Sequence, residues 1–204
     1  MTIALDAIAH TYRRHIERPP VPGVGQDVRY SYRLAGEWYE VHAYHLALTY
    51  GIGIIPTDNP EPYPDAATMA LWTRQTRRFY VSRAYCDHEG WTPAQNVAYR
   101  VVHDMIGHAI LDRRTPHDDV PAFTTEGELL AWRLHLSHLR KLALIPEGYP
   151  YANVITEHVI PVTFTEHLGQ LGYCHTFGSF PSTGPDDPQR PALLPFDYDA
   201  EVIL

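Results

Sequence analysis

Proline punctuates this chain, and its clusters decide where helices can run. A proline lacks the N–H that a helix interior needs and clashes with the preceding turn, so it falls at helix starts or in loops. Pro19, Pro20 and Pro22, with Gly23 and Gly25, make a first break. Pro56, Pro60, Pro62 and Pro64 make a second, Pro146, Gly148 and Pro150 a third, and Pro181, Pro185, Pro188, Pro191 and Pro195 crowd the end. Between the breaks apolar residues recur at helical spacing. Ile3, Ala7, Ile8, Tyr12 and Ile16 form one such set. A second helix is expected from about Gly36 to Tyr50, with Trp38, Val41, His45 and Leu48 on one side, and a third after Asp65, with Met69, Trp72, Thr76, Phe79, Tyr80 and Arg83 facing inward. Thr92 as N-cap and Pro93 at the first position start a helix carrying Val97, Val101, Val102, Ile106, Ala109 and Ile110. Thr125 to about Ala143 makes another, and Ala152 to about Leu171, interrupted by Pro161, a last helical or mixed stretch. Arg29 to Arg33, where Tyr alternates with polar residues, reads as a short extended segment. The pattern predicts an all-α fold: a single-domain irregular bundle of five or six helices over residues 1–177, with long Pro-rich loops, then a Pro-rich tail over 178–204 that wraps the surface or stays loose.

Composition narrows the classes. In 204 residues, 45% are hydrophobic, with four Trp, fourteen Tyr and six Phe, which is enough to build one core. The formal net charge of −8 opposes nucleic acid as a partner. Arg74, Arg77, Arg78 and Arg83 form a local basic cluster, read as a solvated helix face. No apolar run reaches the roughly 18 residues of a membrane span, and the acid in Met1-Thr2-Ile3-Ala4-Leu5-Asp6 does not suit a signal peptide. Cys86 and Cys174 do not make a disulfide framework, so a reduced cytoplasmic setting is expected.

Thirteen histidines are the informative excess. His103-Asp104-Met105-Ile106-Gly107-His108 interrupts an apolar helix, and polar groups in such a place need partners. On an ideal helix, residues five apart lie roughly 140° apart, so His103 and His108 would not share a face. Gly107 permits a local distortion that turns both rings to one centre. Imidazole and carboxylate together suit zinc or iron(II). The bland alternative pairs Asp104 with His108 on the surface and buries His103 against a carbonyl. A third ligand must come from elsewhere. Glu128 is the first choice, seven residues before His135 on one helix face; alternatively Thr125-x-x-Glu128 is a capping box. Glu157 and Glu166 are second choices, His117, Asp118 and Asp119 a solvated acidic loop or a lid, and His42, His45 and His138 core or surface residues.

His103-Asp104-x-x-Gly107-His108 resembles the His-Glu-x-x-Gly-His segment of the aromatic amino acid hydroxylases. That resemblance implies a non-haem iron site of two histidines and a glutamate, with His103 and His108 as ligands and Asp104 outside the ligand set; it does not itself place the glutamate, for which Glu128 is the first choice above. The Phe123-x5-Leu129 step after the pair extends the likeness over about 30 residues. Val101-Val102-His103-Asp104 is also similar to the His-Asp doublet of the HD phosphohydrolases, which implies an all-α metal hydrolase with His103 and Asp104 both on the metal. The whole resembles short His-Asp-x-x-Gly-His proteins of actinobacteria and their phages. The expectation is therefore a small metal-dependent enzyme using iron(II) or zinc, with Asp104 and Glu128 catalytic and an unspecified small-molecule substrate. A non-enzymatic helical protein is the remaining alternative.

Overall fold

The elements follow the proline breaks closely, with one addition the periodicity does not announce. The computed structural model describes residues 4–17, 24–84, 86–144, 151–181 and 189–195. The expected breaks at Pro19–Pro22 and Pro146–Pro150, and Pro185 and Pro188, lie outside them. The order is α1 (Leu5–Glu17), α2 (Val24–Tyr50), β1 (Gly53–Thr57), α3 (Ala66–Thr76), β2 (Arg78–Ser82), α4 (Pro93–Val102), α5 (Thr125–Ala143) and α6. Helix α6 has three α stretches, Ala152–Val154, Ile160–Phe164 and Gln170–Phe177, joined by π-helical Ile155–Val159 and Thr165–Gly169. The protein is mostly helical, and no described helix is long and apolar enough to cross a membrane.

Four expectations are corrected. Arg29 to Arg33 is helical, because α2 begins at Val24 rather than Gly36. Its buried side is Tyr32, Ala35, Trp38, Tyr39, Ala43 and Leu46, while Val41 and Leu48 are exposed, as is His45. The helix after Asp65 stops at Thr76: Arg77 takes a left-handed conformation (φ 58°), and the next five residues become β2. Phe79 and Val81 thus alternate inward as strand residues. β2 pairs in parallel with β1, Gly53 opposite Arg78 through Thr57 opposite Ser82, so Pro56, the first proline of the expected Pro56–Pro64 loop, lies in a strand. Finally, Pro161, expected to interrupt this stretch, lies within its second α segment. The preceding π turn changes the hydrogen-bond register where the missing N–H falls.

The described chain forms two compact units interleaved in sequence. The first takes Met1–Ala35, His88–Gly90 and Leu139–Leu204, the second Gly36–Asp87 and Trp91–His138. In the first, α1 lies against the last stretch of α6. A Cβ at Gly172 would come 2.8 Å from the Leu5 carbonyl, so only glycine permits this approach. Gln189, Ala192 and Leu194 of the expected tail are buried here, so this part of it wraps. In the second, the β1–α3–β2 unit packs with α4, whose Thr92 and Gln95 form a reciprocal capping box.

Candidate metal centre

Helix α4 does not continue through Ile110 as an α-helix. At His103 it widens into a π-helical turn, His103–Gly107, and then ends. A π turn closes its hydrogen bond over five residues, so side chains five apart come nearly above one another. The turn brings the His103 and His108 rings to 5.2 Å between centroids, at 86°. Ala109 follows with φ 50°, and the chain leaves the helix. Gly107 lets α4 and α5 approach closely: a Cβ there would meet the Ala131 carbonyl at 3.1 Å and its Cβ at 3.3 Å, tighter than ordinary contact.

That close approach brings Glu128, in the first turn of α5, against both rings. Glu128 Oε2 lies 3.5 Å from His103 Nε2, and Oε1 lies 3.4 Å from His108 Nε2. The capping alternative for Glu128 is replaced by another residue: the Thr124 hydroxyl accepts from the Gly127 N–H at 3.1 Å, and the Thr124 carbonyl from the Glu128 N–H at 2.8 Å. The Glu128 carboxylate faces the two histidines. Asp104 Oδ1 is 4.0 Å from His103 Nε2, the same nitrogen that faces Glu128. One nitrogen of each ring and one Asp104 oxygen lie within 4.8 Å of one another.

The surroundings fix the tautomer of His108. Its Nδ1–H donates to the Pro121 carbonyl at 2.5 Å, so in the neutral ring Nε2 carries the lone pair and faces Glu128. His108 is 1% exposed, and the edge of Phe123 packs against it at 5.0 Å. Tyr99 stacks along His103 at 6.1 Å, and fully buried His135 lies 5.9 Å from it.

Charge in this cluster is tightly coupled. Burial pushes Glu128 up, but the two imidazoles outweigh it and hold the carboxylate well below its usual range. Burial pulls His108 down, but the facing Glu128, then Asp104, raise it on balance. Burial raises Asp104, with His103 and His108 opposing. Two imidazoles and two carboxylates concentrated this way fit a divalent cation: it would satisfy the carboxylates without protons, and nitrogen with oxygen donors is the set zinc and iron(II) accept.

Asp104 and Phe123 also line a cavity of about 440 Å³. Its other walls include Pro60–Pro64, Tyr80 to Ser82 and Arg100, at the carboxyl ends of the two strands.

Other expected positions fall elsewhere. Glu157 is exposed, and Glu166, 3% exposed, belongs to the first unit. There it accepts from the Tyr32 hydroxyl, from Gln170 Nε2 at 2.6 Å and from Gln189 Nε2 at 3.0 Å, with His88 Nε2 at 3.4 Å. His117 and Asp118 pair at the surface at 3.0 Å in a short 3-10 turn. His42 is buried, stacks on Trp38 at 4.4 Å and meets His138 Nε2 at 2.9 Å. Burial, then His138 and His45, lower its pKa to about 3 and keep it neutral. Cys86 and Cys174 are free thiols. Sequence reasoning missed Pro121 and the cavity. A carbonyl partner carries no residue signature, and the cavity depends on two strands not foreseen. In comparisons with known proteins, the chain matches no family model, no curated protein and no solved structure.

Proposed function

We propose that the protein is a metal-dependent enzyme whose cation is held by His103, His108 and Glu128, in the manner of a mononuclear non-haem iron site. The observation that carries this is the placement of one carboxylate against the Nε2 atoms of both histidines, at 3.5 and 3.4 Å. Two imidazoles and one carboxylate leave the other positions of an iron(II) open. When bound, such a metal supplies a Lewis acid and a binding position for water, substrate or dioxygen. The chain's own residues do the rest. Pro121 orients His108, Phe123 and Tyr99 flank the rings, and Asp104, 4.0 Å from His103, also lines the cavity. A small substrate in that cavity would meet the centre on the Asp104 side.

A hydrolase of the HD type is the second reading, favoured by the clustering of Asp104 with both histidines within 4.8 Å. There His103 and Asp104 would both hold the metal, which would supply activation of a water. Titrating the metal-free full chain with iron(II) under anaerobic conditions, and with zinc, separates the two. The oxygenase-like reading predicts one equivalent bound, lost in His103→Ala, His108→Ala and Glu128→Gln and retained in Asp104→Asn. Loss of binding in Asp104→Asn moves the assignment to the hydrolase. Failure of the wild-type chain to bind either metal rejects both and leaves the histidines a structural role.

A further inference from the structure

We infer that Arg74 is the positioning residue of the metal centre, acting through the left-handed turn that follows His108; this rests on the metal reading above. Arg74 sits in α3 and touches neither histidine in any bond the structure shows. Its guanidinium instead closes on the chain just beyond them. Nε donates to the Ile110 carbonyl at 3.0 Å. Nη2 donates to the Ala109 carbonyl at 2.9 Å and the Asp112 carbonyl at 3.1 Å. Nη1 donates to the Thr115 carbonyl at 2.8 Å. One side chain thus gathers four carbonyls within seven residues.

The chain needs such a clamp here. A helix end leaves carbonyls without partners. Ala109 has φ 50°, a conformation that an L-residue with a Cβ holds only when its surroundings impose it. The segment beyond the clamp then returns with the Pro121 carbonyl on His108 Nδ1 and Phe123 against its ring. Both ends of the 109–123 loop therefore bear on His108, and Arg74 fixes the first of them. A lysine cannot substitute, because a single ammonium lacks the planar fork that spans separated acceptors. The arginines of this cluster thus have different roles. Arg83 pairs at the surface with Asp58, whereas Arg74 serves as an internal clamp.

The test uses the full chain with cobalt(II) as a visible-spectrum probe, in the wild type, Arg74→Lys, Ala109→Gly and the double variant. Wild-type binding of one equivalent establishes the premise; no binding defeats the metal reading and, separately identified, this inference with it. With the premise met, Arg74→Lys is expected to keep its far-ultraviolet circular dichroism, weaken cobalt affinity by about tenfold or more, as loss of outer supporting groups does, and shift the ligand-field bands. Ala109→Gly in that background is expected to recover affinity and bands, since glycine enters the left-handed region freely. Wild-type affinity and bands in Arg74→Lys overturn the inference. So does a lowered melting temperature with unchanged bands, or a double variant that recovers nothing. If Arg74→Lys does not fold, Arg74→Gln, which keeps a planar two-donor amide, is read by the same outcomes.

Discussion

At the residue scale the centre depends on small choices. Gly107→Ala inserts a methyl 3.1 Å from the Ala131 carbonyl, and a small give of α5, which carries Glu128, is the expected response. Overpacking of this kind costs about 1–3 kcal/mol; chemical denaturation should show that loss, and metal titration a weaker site. Protonation gives an independent check. In the metal-free protein, Glu128 has a lowered pKa, so its stabilisation is present above its usual 4.5 and is lost as pH falls through the lowered value. His108 has a raised pKa, so its stabilisation is complete below its usual 6.5 and is lost as pH rises through the raised value. Asp104, raised from 3.8, opposes folding once it ionises. A metal requires neutral His108 and displaces its proton. The rise in melting temperature on adding zinc should therefore be larger near about pH 8 than near about pH 6; an equal or smaller rise would contradict the ligand assignment. The meeting of His103 with His108 was legible because polar groups in an apolar helix need partners, whereas Glu128 was one of several acids the sequence offered and only the packing of α5 brings it to both rings. The clamp was not: Arg74 bonds to carbonyls, which every residue possesses.

At the element scale, the π turn is what makes the motif work. An α-helix would place His103 and His108 on different sides, and the sequence marks the departure only by Gly107. The α4 start was readable outright, since Thr92 and Pro93 form a local signal independent of tertiary context, to which the structure adds Gln95. Thr92→Ala should cost about 1 kcal/mol by denaturant titration while leaving metal stoichiometry at wild-type value, because the cap lies at the far end of α4 from the ligands. The β1–β2 pair was hidden. Met69, Trp72, Thr76 and Phe79 mimic a helical stripe, and only the left-handed Arg77 breaks it. Pro161 misled in the other direction, because a π turn absorbs the lost hydrogen bond that the residue type suggests should interrupt the helix.

At the scale of the whole molecule, each unit has its own polar centre. The second holds the candidate metal ligands His103, His108 and Glu128. The first is built on Glu166, which ties α2 through Tyr32 and the 189–195 segment through Gln189; Gln189 also donates to Tyr12 of α1 at 2.6 Å. Burial, then Glu166, raise both tyrosine hydroxyls, which stay protonated. Tyr32→Phe removes a hydroxyl that donates to Glu166 and accepts from the Ala192 N–H at 3.4 Å. Leaving a buried carboxylate short of a donor costs about 1–3 kcal/mol or more, readable as a lower melting temperature; an unchanged one would show the network to be dispensable. The helical class was legible from proline spacing, whereas interleaving of units is a property of long-range contacts that no local pattern encodes. The ligand set is tested most directly by an anomalous difference map from crystals of the full chain grown with zinc, recorded across the zinc edge. A single peak at about 2.0–2.2 Å from His103 Nε2, His108 Nε2 and a Glu128 oxygen is predicted; a map with no zinc among these three side chains would contradict it.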